Sequence, residues 1–69
     1  MSGRDVIKVL VRAGWTPARQ RGSHVTLVKR GNRPVSIPTH AEVRRGTLRH
    51  LIGQAGLTVE EFIRILHEL

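Results

Sequence analysis

Residues 15–40, WTPARQRGSHVTLVKRGNRPVSIPTH, read as three short strands joined by two turns. The middle strand is the clearest. From His24 to Lys29, Val25 and Leu27 share one face while His24, Thr26 and Val28 share the other, the alternation of a half-buried strand. Arg30, Gly31 and Asn32 supply the turn after it, because Gly and Asn accept positive φ at little steric cost. The return strand runs from Arg33 to Ile37, with Val35 and Ile37 on one face, and Pro38 ends it. Upstream, Arg21, Gly22 and Ser23 form the other turn. The strand before it, Trp15 to Gln20, holds Pro17, which has no backbone N–H to donate and so belongs on a sheet edge or at a strand start.

Helical patterns flank this region. Val6, Val9, Leu10 and Ala13 fall at i, i+3, i+4 and i+7, so Gly3 to Ala13 forms a helix with one apolar stripe. Ser2 caps it, Asp5 can reach back in a capping box, and Gly14 stands where a left-handed C-terminal cap belongs. After a polar, loop-like segment from Thr39 to Gly46, Thr47 caps a second helix with Leu48, Leu51, Ile52 and Ala55 in the same spacing. Gly56 ends that helix. Thr58 and Glu61 make a further capping box, and Val59, Phe62, Ile63 and Leu66 form the apolar face of a last helix. The order α-β-β-β-α-α implies an α+β domain, with helices on one face of an antiparallel sheet and the other face free.

The 69 residues suit one domain, and 39% apolar content is enough for one core. No apolar run approaches the ~20 residues of a membrane span, and the N-terminus lacks the pattern of a cleaved signal. The chain has no cysteine, which excludes disulfides and thiolate zinc sites and fits a reducing cytoplasm. The net charge is +7, and its distribution is uneven. Arg19, Arg21, Lys29, Arg30, Arg33, Arg44, Arg45 and Arg49, opposed only by Glu42, carry all of that excess. Such a concentrated field suits a polyanion, because neutralising phosphates releases counterions.

Of His24, His40, His50 and His67, none stands at a compact metal-ligand spacing, and no acidic cluster joins them. Glu60 and Glu61 read as first-turn helix residues rather than an acid–base pair. No P-loop or dinucleotide fingerprint is present. Ser23 has no Asp or Glu nearby to complete a triad. His24 stands apart, because a tight Gly22-Ser23 turn presents it at the sheet rim with Arg19 and Arg21 before it and Lys29 and Arg30 beyond. RNA cleavage needs a base for the 2′-hydroxyl, an acid for the 5′-oxygen and positive charge at the phosphorane, and no metal is obligatory. Histidine side chains as a class exchange a proton between about pH 5 and 8. A histidine at a strand start also reads as a surface residue or a backbone partner, and local chemistry leaves both readings open. His50 and His67 lie on helices, and His40 follows the sheet as an accessory acid–base group, an RNA contact or a loop-fixing residue.

Taken together, the motifs resemble a known family. Ser2-Gly3-Arg4-Asp5-Val6-Ile7, Ala13-Gly14-Trp15, Arg19-Gln20-Arg21-Gly22-Ser23-His24 and Val35-Ser36-Ile37-Pro38-Thr39-His40 occur in order. Gly46-Thr47-Leu48-Arg49 and the run from Gln54 to Phe62 complete the set, which is similar to the HicA-type mRNA interferases, the toxin half of bacterial type II toxin–antitoxin pairs. The resemblance implies a double-stranded-RNA-binding-domain-like fold. It also implies cleavage of mRNA that needs neither ribosome nor metal nor cofactor, and a HicB-type antitoxin as partner. The histidine of the Gly-Ser-His motif is the catalytic group, a role that falls on His24 alone. Arg19, Arg21, Ser23, Lys29, Arg30, Arg44 and Arg45 are the candidate RNA contacts, with Gly22 and His40 accessory. Val25 stands where many members carry a second histidine, so no imidazole adjoins His24 in sequence, and the segment from His40 to Gly46 is short. Two other readings share the charge pattern: a non-catalytic RNA-binding module of similar fold, and a domain that docks an acidic protein. With one Trp, one Phe and no Tyr, the chain has few platforms for stacking bases. Trp15 reads as core.

Overall fold

A computed structural model describes residues 1–69. Its first helix, α1, spans Gly3–Arg12, and the Ser2 hydroxyl accepts the Asp5 N–H at 3.2 Å. Only this half of the expected capping box forms, since the short Asp side chain does not return a bond to Ser2. Asp5 still complements the helix dipole from the first turn. Gly14, at φ 105°, ends the helix, while the N–H groups of Gly14 and Trp15 close on the Val11 and Leu10 carbonyls at 3.1 and 2.9 Å. That cap turns Trp15 inward, and the residue is 2% exposed.

Three antiparallel strands follow in the spatial order β1-β2-β3: β1 Thr16–Arg21, β2 His24–Val28 and β3 Val35–Pro38. Their boundaries differ from the sequence reading for local reasons. Trp15 is committed to the helix cap and the core, so β1 starts at Thr16 and extends to Arg21. The turn is then the two residues Gly22 and Ser23, with φ 59° at Gly22, the signature of a type II′ hairpin. β2 stops at Val28 because the Lys29 carbonyl closes the next turn, accepting the Asn32 N–H at 3.0 Å. Pro38 does not stop β3. It pairs with His24, which an edge strand permits because no ladder N–H is required there.

The pairing of β1 with β2 contains a bulge. Pro17 lies opposite Leu27 and Arg19 opposite Thr26, which leaves Ala18 as an extra residue. An unbroken alternation would put Pro17, Arg19 and Arg21 on one face, the face of buried Leu27. The bulge reverses the phase after Pro17, so Arg19 and Arg21 stand on the face of Thr26 and His24 instead.

The second helix, α2, spans Arg45–Gln54, three residues earlier than a Thr47 cap anticipated. Arg44 occupies the N-cap without a side-chain bond, and the Leu48 N–H already closes on the Arg44 carbonyl at 2.8 Å. The start is set by the preceding residue: Val43 is buried and its N–H bonds the Met1 carbonyl at 2.7 Å. The third helix, α3, spans Val59–Glu68 and begins with the expected box. The Glu61 N–H bonds the Thr58 hydroxyl at 3.1 Å, and the Thr58 N–H bonds Glu61 Oε1 at 2.8 Å.

The Thr58 backbone and hydroxyl contacts hold the Glu61 carboxyl below its ordinary pKa of 4.5. A depressed carboxylate contributes stability that is present above the unfolded-state value and lost as pH falls through the folded one. Independently of that titration, Thr58→Ala removes the N-cap hydroxyl that accepts the Glu61 N–H, a loss that typically costs about 1 kcal/mol, or roughly 4–8 °C in Tm. Thermal melts of the variant and the parent at pH 7 check this, and an unchanged Tm would contradict the capping account.

Helices and sheet bury one cluster of twelve residues, among them Val6, Val9, Leu10, Trp15, Leu27, Val35, Ile37, Leu51, Ile52 and Phe62. The indole N–H of Trp15 reaches the Ala55 carbonyl in a long bond of 3.4 Å, tying the end of α1 to the end of α2. No helix is long and apolar enough to cross a membrane.

Candidate functional site on the open sheet face

The helix-covered side of the sheet takes Leu27, Val35 and Ile37, with Val25 half-buried beside them. The opposite side is open, and its chemistry is set by register. His24 is exposed and pairs with Arg21 on one flank and Pro38 on the other. Directly opposed residues hold their Cβ atoms about 5 Å apart, and diagonal neighbours lie about 7–8 Å apart. Arg21 is therefore His24's immediate neighbour, and Arg19 and Ser36 are its diagonal ones. Thr26 follows on the same strand, opposite both Arg19 and Ser36. The result is an imidazole beside two exposed guanidinium groups and two hydroxyls on one surface. Such a surface can draw in a phosphodiester, neutralise it and offer a proton acceptor beside it.

The turn that presents His24 is anchored from β3. The Thr39 N–H and hydroxyl both donate to the Ser23 carbonyl, at 2.6 and 2.9 Å. His40, exposed and one residue further on, consequently leaves the sheet beside the Gly22-Ser23 turn. No three His, Asp or Glu side chains gather in a way that could hold a metal ion.

A family model for the HicA toxin of bacterial toxin–antitoxin systems matches residues 3–57, from the start of α1 through the cap that follows α2, with His24 inside the match. The chain belongs to the HicA toxin family. It is also 38% identical to a chain of a solved toxin–antitoxin complex from Streptococcus pneumoniae. That likeness has a TM-score of 0.75 and covers 83% of this chain and 98% of the other. A search of curated proteins returns no significant match. The α-β-β-β-α-α order and open three-stranded sheet match the double-stranded-RNA-binding-domain-like toxin fold.

Within this HicA-family chain, the other candidate contacts separate. Arg19, Arg21 and Ser23 accompany His24. Lys29 and Arg30 do not, because β2 carries them about 13 Å or more along the sheet from His24. The Lys29 ammonium is moreover occupied, donating to the Ala13 carbonyl at 3.2 Å where it complements the C-terminal end of α1. Arg44 and Arg45 stand at the start of α2 in the helix layer, and Arg45 borders a shallow groove with Leu48, Arg49, Ile52 and Val59. Gly22 serves the turn through its positive φ. Thr26, Ser36 and Thr39 were not singled out by the sequence reading. The alternation around His24 and Val35 contained the signal for the first two, whereas the Thr39 contact spans sixteen residues and has no local signature.

Proposed function

We propose that this chain is the toxin of a type II toxin–antitoxin pair, an endoribonuclease that cuts mRNA with His24 as its catalytic group. The observation that carries the reading is the register that sets His24 beside Arg21 and diagonal to Arg19 on an open, exposed sheet face. His24 takes the proton of the 2′-hydroxyl as that oxygen attacks phosphorus. The bond from phosphorus to the 5′-oxygen breaks, leaving a 2′,3′-cyclic phosphate and a 5′-hydroxyl. Arg19 and Arg21 stabilise the charge of the phosphorane, where fixed cations act more strongly than water. The leaving 5′-oxygen is protonated by a second acid, and His40 is assigned that step because Thr39 brings it beside the turn. Ser23 contacts the RNA backbone at the turn, and Arg30, Arg44 and Arg45 extend phosphate contact beyond the centre.

The reaction needs neither a metal nor the ribosome. The toxin acts in the cytoplasm as a single domain over residues 1–69. A HicB-type antitoxin neutralises it by covering the His24 face, a reading supported by family membership and by a relative solved in a toxin–antitoxin complex.

The test uses purified protein and a short RNA with one cleavage site. Cleavage should continue undiminished in EDTA and stop when the nucleotide 5′ to the scissile phosphate is 2′-deoxy. Cutting of the deoxy substrate would mean hydrolysis by water, and loss in EDTA restored by one divalent ion would mean a metal mechanism. Intact RNA bound tightly and salt-sensitively would leave a binding module without chemistry.

A further inference from the structure

We infer that Thr39 is a positioning residue for His24, acting through the Ser23 carbonyl; the inference rests on the assignment of His24 as the catalytic group. Three elements meet at this point. The Ser23 carbonyl belongs to the peptide that enters His24, and it accepts two hydrogen bonds from one residue, the Thr39 N–H at 2.6 Å and Oγ1–H at 2.9 Å. A carbonyl oxygen has two lone pairs, so both are used and that peptide's orientation is set.

The donor residue is itself backed by α1. A Cβ built on Gly3 would lie 1.5 Å from the Pro38 carbonyl oxygen and 3.4 Å from Thr39 Cα, so the helix start is in direct backbone contact with the Pro38–Thr39 peptide. The Gly3 N–H is also bonded to the Ala41 carbonyl at 3.1 Å, which holds the segment after Thr39 against the same helix start.

This clamp answers a weakness of the hairpin. His24 is the first residue of β2, next to a two-residue turn whose Gly22 and Ser23 are exposed, and β1 is exposed along its whole length. On the β1 side only a solvent-facing edge strand holds His24. On the β3 side its partner is Pro38, in a pair that exchanges no backbone hydrogen bond. The ladder bond beside that pair is the Thr39 N–H to the Ser23 carbonyl, and the Thr39 hydroxyl doubles it, so the flanking bonds at Thr39 hold this end of the ladder. Thr39 touches neither the imidazole nor the open face in any hydrogen bond. Its influence on the chemistry runs through where the Ser23–His24 peptide points.

The experiment compares Thr39→Val, which keeps the N–H and the shape but loses the hydroxyl, with Thr39→Ser, which keeps both donors, and runs His24→Ala beside them. With the full chain and a defined RNA, Thr39→Val should lower kcat roughly tenfold, since small misplacements of a reacting group are costly. KM should stay within about twofold, and Thr39→Ser should restore kcat to within about twofold of the parent. In the unmutated protein, a through-hydrogen-bond coupling between the Thr39 amide nitrogen and the Ser23 carbonyl carbon should be detectable by NMR, a readout that stands even if Thr39→Val folds poorly. The inference is overturned by a Thr39→Val kcat equal to the parent's, by a loss confined to KM, by failure of Thr39→Ser to restore, or by absence of the coupling. Those failures differ from failure of the underlying assignment, in which His24→Ala itself cleaves at the parent rate.

Discussion

His24→Ala is expected to cut RNA about 10²–10⁴ times more slowly than the parent while remaining folded, because general acid–base catalysis by one side chain contributes rate factors of that size. The fold should survive because His24 is exposed and contributes nothing to the buried cluster. Substitutions at such positions usually change stability by no more than about 0.5 kcal/mol. Arg19 and Arg21 remain in place, so RNA affinity at a given salt concentration should change little. The measurements are single-turnover cleavage, salt-dependent RNA binding and the far-UV spectrum of the same sample. A folded variant that cleaves at the parent rate and still arrests growth would remove His24 from the chemistry. A variant that loses binding as strongly as cleavage would make it a contact residue.

The second large effect is on stability. Trp15→Ala should cost about 3–5 kcal/mol, the usual range for deleting a buried aromatic. A domain of this length commands roughly 3–10 kcal/mol in total, so the variant should be largely unfolded or held by a small margin. Trp15 is 2% exposed and, through its indole N–H, joins the end of α1 to the end of α2. Those two helices have no other connection of this kind. Trp15→Phe keeps most of the apolar volume and loses the polar bond, and it should cost only about 1–2 kcal/mol. Urea titrations followed by circular dichroism separate the two. Equal midpoints for Trp15→Ala and the parent would contradict the core role.

Much of the architecture was legible because it is locally encoded. Thr58 and Glu61 lie three residues apart and cap one another, and Gly14 and Gly56 supply the left-handed residues that end α1 and α2. Val25 with Leu27 and Val35 with Ile37 show the period of a strand, and all four reach the core side of the sheet. Element ends were less legible. Thr47 has the chemistry of a cap, yet α2 starts at Arg45 because the buried Val43 fixes the chain's entry. Pro38 reads as a strand stop, yet it closes the pairing with His24 because β3 lies at an edge.

The sequence by itself determined that an exposed histidine follows a Gly-Ser turn, that the chain is strongly basic, and that apolar residues recur at strand and helix spacings, although Val59 and Ile63 of the stripe expected on α3 are exposed and Ile65 packs in their place. Those properties depend on residue type and on spacings of a few residues, so they survive without knowledge of contacts. Only the tertiary structure decided which bases join that histidine. The Ala18 bulge changes the side of the sheet on which Arg19 and Arg21 stand, and a one-residue slip in a strand inverts every side chain after it. The close approach of β2's end to the end of α1 gives the Lys29 ammonium to the Ala13 carbonyl. The Thr39 clamp on the Ser23 carbonyl joins residues sixteen apart. Register and long-range pairing are properties of strands brought together, and His24 acquires its neighbours only when that has happened.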